Sequence, residues 1–323
     1  MKLKKIIRSA AIAVVFAATA TVAMAADIAI IGGKADDAFW NKIKKGIDDA
    51  RLVVEANGGS VDYLRLQSYD NFAADAAEII RVAIAKKPDG IAVPNWVPES
   101  QDGPIKEAIA AGIKVILFNG GSGKKAKELG AINYVGAAEY PAGRAAGQYM
   151  VDAGVEKGLC INTLPGTTVA EERCKGFIDA MTEAGKSAEQ LPLPTTTHGD
   201  PAAVAEAVKA YLTQNPDIGG GITMGASEAD AAAVGIAQAG KTGSFVLGSF
   251  DFNEATLSRI QHGEQAFAID QQPYLQPLLA IQILASAIDF GTNLPTAPIL
   301  TGPGIIDASN VEATLAGVKL GAR

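Results

Sequence analysis

From Asp27 onward the chain alternates short apolar runs with longer stretches in which apolar positions recur every three or four residues. Ile28 to Ile31 is an uninterrupted apolar run ending in Gly32-Gly33, the pattern of a strand buried on both faces. Trp40, Ile43, Ile47, Ala50 and Val54 then lie on one face of a helix that Gly58-Gly59 stops. The same reading predicts strands over 61–66, 90–93 and 113–118 and helices over 72–86 and 105–111. A second series begins near Gly158. Strands are predicted over 159–163, 221–224, 245–249 and 266–270, with helices over 169–184 and 202–213 among them. Repeated strand–helix units imply parallel sheets covered by helices on both faces. No fixed sequence repeat is visible, which excludes a solenoid. About 300 residues exceed one comfortable core, so two α/β lobes of similar size are expected. In such sheets ligands sit beyond the carboxyl ends of the strands, and two facing lobes enclose a ligand between them.

The first 25 residues break this alternation. Met1 to Arg8 is basic, Ala10 to Val22 is apolar apart from Ala and Thr, and Ala23-Met24-Ala25 has the small-x-small form of a cleavage site. The apolar stretch is too short to span a bilayer. Export with cleavage after Ala25 is therefore expected. Losing four bases and no acid takes the net charge from −7 to −11. So acidic a body disfavours nucleic acid and anionic lipid as partners. An exported compartment permits a disulfide between Cys160 and Cys174, with two buried free thiols as the alternative.

The residues that follow each predicted strand are the candidates for chemistry. After the first come Asp37, Phe39 and Trp40, where Asp37 also suits a helix cap and Trp40 also suits the core. After the third stand Asn95 and Trp96 in a Pro-flanked loop, and Asn119 follows the fourth. In the second series Arg173 sits in the first turn of a helix, where the macrodipole disfavours a cation. Asp251 and Gln271 follow later strands. Aromatic planes pack on C–H faces, and amides, carboxylates and a guanidinium pair with neighbouring hydroxyls, so the set suits a polyhydroxylated ligand. Catalytic patterns fail. The segment Gly120-Gly121-Ser122-Gly123-Lys124-Lys125 lacks the first glycine and the final Ser/Thr of a phosphate loop. Ser122 and Ser227 lack the closing glycine of a nucleophile elbow, and His198 and His262 stand in no metal spacing. No enzyme activity, cofactor or metal is expected.

Taken in order, these residues resemble the periplasmic sugar-binding proteins of ABC importers, the ribose-binding-protein-like type I fold. Asp37-Ala38-Phe39-Trp40 is similar to that family's Asn-x-Phe-Phe/Trp segment, and Gly166-Thr167 through Glu172-Arg173 to Gly176-Phe177 to its Gly-Thr…Glu-Arg-x-x-Gly-Phe segment. Gly248 to Asp251 resembles the segment of the ligand aspartate, with one extra residue, and Ala268 to Pro273 that of the ligand glutamine. The resemblance implies two Rossmann-like lobes with parallel sheets joined by a three-stranded hinge. Breaks near Gly136, Gln272 and Pro298 would make one lobe of 27–137 plus 272–298 and another of 138–271 plus 299–323. It implies a periplasmic monomer that closes on a sugar and docks on an ABC permease, with a chemoreceptor as a further partner class. Asn119-Gly120 replaces an Asp-Arg pair, Gly225-Ala226 replaces Asn-Asp, and His198 or Gly199 falls near a ligand aromatic. These departures point away from ribose toward another monosaccharide, a sugar alcohol or a cyclitol. A receptor for a quorum signal or nucleoside, feeding a chemosensory or sensor-kinase partner, is the alternative.

Overall fold

The computed structural model describes residues 25–320. The export segment expected over residues 1–25 therefore lies, except for Ala25, outside the described residues. The chain builds two six-stranded sheets of the same topology. In the first, β1 (Asp27–Gly32), β2 (Ser60–Arg65), β3 (Gly90–Val93), β4 (Lys114–Phe118), β5 (Tyr134–Ala137) and β11 (Ile299–Gly302) run in the order β11-β5-β4-β3-β1-β2. In the second, β6 (Lys157–Asn162), β7 (Ser187–Pro192), β8 (Gly220–Thr223), β9 (Val246–Phe250), β10 (Phe267–Asp270) and β12 (Gly304–Asp307) run β12-β10-β9-β8-β6-β7. All pairs are parallel except β10 with β12.

The central strands are apolar because both their faces are covered. Ile28, Ile30, Ile91, Ile116 and Phe118 are fully buried in the first lobe. They meet α1 (Ala38–Ala56), α2 (Phe72–Ala85), α3 (Pro98–Ala110), α4 (Gly123–Leu129) and, from far along the chain, α10 (Leu275–Asp289). In the second lobe α5 (Glu139–Asp152) and α6 (Thr168–Glu183) cover one face around Phe177, Met150 and Phe267. The other face is covered by α7 (Pro201–Gln214) and α8 (Ala226–Gln238), around Val208 and Leu159. A last cluster joins α9 (Glu254–Gln261) to α11 (Val311–Lys319). Asp37, Ser122, Thr167, Asp200 and Asn253 each accept a backbone N–H at a helix start, which fixes where those helices begin.

The chain passes between the sheets three times: from β5 into α5, from β10 into α10, and from β11 into β12. The third crossing corrects the break expected at Pro298. Ile299 and Leu300 pair with Val135 and Gly136, so residues 299–302 are an edge strand of the first sheet and the crossing falls between Gly302 and Gly304. A proline at the start of an edge strand costs no ladder bond that matters, so Pro298 does not end the pairing.

Candidate functional site

The residues that follow the strands of both sheets line one cavity of about 430 Å3. The glycines that end β1 let the chain turn sharply toward it. A side chain on Gly33 would lie 2.1 Å from the Trp40 indole nitrogen, so only glycine admits the ring. Trp40 meets Trp96 edge to face at 5.6 Å, and Phe39 and Phe72 extend the aromatic wall at 5.3 Å on either side. Trp40 thus packs the core and faces the cavity at once.

Polar groups meet this wall from both lobes. The Trp96 indole donates to Asn119 Oδ1 at 3.2 Å, and Asn119 Nδ2 donates to Gln276 Oε1 at 3.2 Å. Gln276 Nε2 donates to Gln271 Oε1, and Gln271 Nε2 donates to both Asp251 oxygens at 3.1 and 2.9 Å. The network runs from a first-lobe tryptophan to a second-lobe aspartate. Asn119 and Asp251 end the equivalent strands β4 and β9, and both hold a left-handed backbone, φ 58° and 57°. Non-glycine residues adopt that conformation at a cost that clusters at ligand sites.

Arg173 lies fully within this surface. Its Nε donates to Glu139 Oε2 at 2.6 Å, its Nη1 donates to the Met224 carbonyl at 3.2 Å, and its guanidinium lies 4.1 Å from the Phe250 ring centroid. Its Nη2 is buried and has no partner among the described residues. Burial pushes the Asp251 carboxyl up to about 6, against the opposing pull of Arg173 and Lys42. Lys42, on α1, crosses to the second lobe and donates to the Phe252 carbonyl at 2.5 Å. Burial holds its ammonium below the usual lysine range, with Asp251 and Asp270 opposing.

At the other end of the cavity His198 stands between two carboxylates. Its Nδ1 is 2.9 Å from Glu228 Oε1 and 3.0 Å from Thr163 Oγ1, and its Nε2 is 3.4 Å from Asp37 Oδ2. Burial opposes its charge, but the hydrogen bonds and the negative charges of Asp37 and Glu228 together outweigh burial and push it up to about 10. Burial likewise raises Asp37, yet His198 and Tyr69 together hold it below the usual aspartate range. Asp37 Oδ1 also caps α1 by accepting from Phe39 N at 3.0 Å, so the capping and cleft roles coexist.

Of the residues singled out in sequence, Asp37, Phe39, Trp40, Trp96, Asn119, Arg173, Asp251 and Gln271 line the cavity together. Asn95 does not. It is fully buried, and its Nδ2 turns away to donate to Asp102 at 3.0 Å, fixing the start of α3. Its neighbour Trp96 takes the cavity side of that loop. Sequence reasoning missed Glu228, Lys42, Tyr69 and Phe72 and left His198 open. The strand-end rule would have found Glu228 after β8, whereas Lys42 and His198 acquire their roles from residues 210 and 161 positions away. Cys160 and Cys174 are joined in a disulfide, which ties β6 to the helix carrying Arg173.

Two α/β lobes of equal topology, sharing one aromatic and polar cleft, define a two-lobed solute-binding protein. A periplasmic binding protein domain matches residues 28–292, and the chain belongs to that family, whose members bind solutes and are not enzymes. It is 26% identical over 296 residues to the xylose/arabinose-binding protein XylF of Sulfolobus acidocaldarius, covering 86% of this chain and 70% of that one. It is 26% identical over 252 residues to the D-apiose import binding protein of Actinobacillus succinogenes, covering 76% of each. Among solved structures it superposes with a TM-score of 0.83 on a carbohydrate transporter from Acidothermus cellulolyticus in complex with myo-inositol, at 32% identity over 92% of this chain and 99% of that one. No helix among the described residues is long and apolar enough to cross a membrane.

Proposed function

We propose that the protein is exported to the periplasm, captures one uncharged monosaccharide, sugar alcohol or cyclitol between its lobes by hinge closure, and delivers it to an ABC permease. The lobes would be 27–137 with 272–302, and 138–271 with 304–320, moving as units about the three crossings. The observation that carries this reading is the cleft's donor and acceptor set. Arg173 Nη2, Asp251, Gln271 and Asn119 converge on a cavity walled by Trp40, Trp96 and Phe39. Arg173 is paired with Glu139, His198 lies between Asp37 and Glu228, and Lys42 donates to the Phe252 carbonyl near Asp251 and Asp270, so carboxylates balance the cations of the cleft and the set suits a neutral ligand better than a phosphate or sugar acid. The relatives named for xylose, arabinose and apiose, and the structure holding myo-inositol, support the same class.

The test is a tryptophan-fluorescence titration with myo-inositol, L-arabinose, D-xylose, D-ribose, D-glucose, xylitol and adenosine. Trp40 and Trp96 are the chain's only tryptophans, and both line the cavity. A saturable change with a neutral polyol, lost in Arg173→Ala, is the expected result. Saturation by adenosine alone, or by none of the panel, would overturn the sugar reading.

A further inference from the structure

The one imidazole in the cleft joins the two lobes through charge. His198 lies in the loop between β7 and α7 of the second lobe, and its Nδ1 is held by Glu228 of the same lobe. Its Nε2 reaches Asp37, the residue that starts α1 of the first lobe. The side chains of all three are largely shielded from solvent, with 14%, 6% and 18% of their surface exposed for His198, Glu228 and Asp37. The other groups packed on the ring are Tyr69, 5.1 Å away ring to ring and itself donating to Asp37, and Thr163. Of the remaining charged residues lining this end, Lys34 is paired with Asp36 at 3.1 Å and Asp200 caps α7. Among the described residues no cation faces the imidazole, and two carboxylates do.

We propose that His198 is a positioning residue for closure: as an imidazolium shared between Asp37 and Glu228 it bridges the lobes, so that capture of a solute is accompanied by uptake of a proton. The inference rests on the reading of the cleft as one that closes on its ligand. When the lobes part, His198 keeps Glu228 but loses Asp37 and gains water, and both changes weaken its hold on the proton. Closing restores the second carboxylate. Linkage then requires that protonation favour the closed form. The sign follows from a raised proton affinity. Below the open-form midpoint His198 is charged in both forms and closure is indifferent to pH. Above it closure takes up a proton, and affinity falls as pH rises toward the closed-form value of about 10. A single linked proton limits that fall to about tenfold per pH unit.

The chain contains two histidines, so imidazole NMR signals of the intact protein can be followed singly. His262, exposed at the end of helix α9, is assigned by its loss in His262→Gln. With saturating myo-inositol to hold the lobes closed, His198 should titrate about one pH unit higher in wild type than in Asp37→Asn, which keeps the helix cap but not the charge. Identical midpoints in the closed form would overturn the cross-cleft pairing. With saturating myo-inositol at pH 8.5, calorimetry in phosphate and in Tris should give enthalpies that differ by a net proton uptake. In His198→Gln, which keeps a side-chain amide for either carboxylate, that difference should vanish while binding persists, weakened severalfold. Binding without proton uptake in wild type, or uptake that survives in His198→Gln, overturns the assignment. If myo-inositol and the other sugars fail to bind, the sugar reading falls, and the closure on which this inference rests falls with it.

Discussion

Arg173 shows how one side chain carries both fold and site. The Arg173 side chain is 4% exposed and that of Glu139 1%, so each is the buried charged partner of the other. Removing the arginine strands a buried carboxylate, which costs about 3–5 kcal/mol of stability, and deletes a donor aimed at the ligand. Arg173→Ala is therefore expected to weaken binding by at least about 2 kcal/mol, roughly thirtyfold, and to lower the melting temperature. The double variant Arg173→Met/Glu139→Gln separates the two effects. Without a stranded charge its melting temperature should recover while its affinity does not, as thermal melts beside fluorescence titrations would show. Asn95 gives the converse. Sequence position places it beside Trp96 in the same loop, but alternate residues of an extended loop face opposite ways, and Asn95 faces Asp102. Asn95→Ala should lower the melting temperature through the lost buried hydrogen bond and leave the dissociation constant within about twofold. A tenfold loss of affinity would return Asn95 to the binding surface.

At the scale of elements, the strands were legible where both faces are buried and the apolar run is unbroken, as in β1, β4 and β10. They were not legible where an edge strand is polar, as in Ser187–Pro192, or where small residues hide a helix, as in α5. Glu139–Asp152 has a weak apolar stripe because it packs backbone to backbone on α6. A side chain on Gly143 would sit 2.1 Å from the Arg173 carbonyl, and one on Gly176 would sit 2.2 Å from the Tyr140 carbonyl. Gly143→Ala must push α6 away, so it should cost stability and also shift Arg173, raising the dissociation constant severalfold even though residue 143 touches no ligand. Unchanged affinity in a folded Gly143→Ala protein would show that Arg173 does not depend on this contact. The disulfide acts on the same helix. Opening a loop of about 15 residues between Cys160 and Cys174 is expected to cost about 3 kcal/mol, read as the loss in denaturation free energy of the Cys160→Ser/Cys174→Ser double variant.

At the scale of the molecule, the contacts that no local pattern could reveal are those that cross the cleft: Lys42 to the Phe252 carbonyl, Thr168 to the Trp96 carbonyl, and His198 to Asp37. The strand-end rule located the cleft from sequence, but it could not say which charges would meet inside it, because that depends on how two separately folded lobes face each other. Those meetings set the response to pH. Asp251 is buried and titrates near 6, above the ordinary carboxylate range. A group raised in this way contributes stability below its unfolded value, and that contribution is lost as pH rises through about 6. Ligand hydroxyls that donate to Asp251 favour the carboxylate, so binding releases a proton below pH 6 and weakens as the pH falls. Between pH 7 and pH 5 the ligand-free protein should therefore gain stability from this group while its affinity declines. Titrations across that range, with thermal melts on the same samples, should show the two quantities moving in opposite directions. Asp251→Asn should flatten the affinity limb, at a lower affinity throughout, and remove this group's share of the stability gain. Parallel changes in both quantities, or an acid limb that persists in Asp251→Asn, would take Asp251 out of the ligand's hydrogen-bond set.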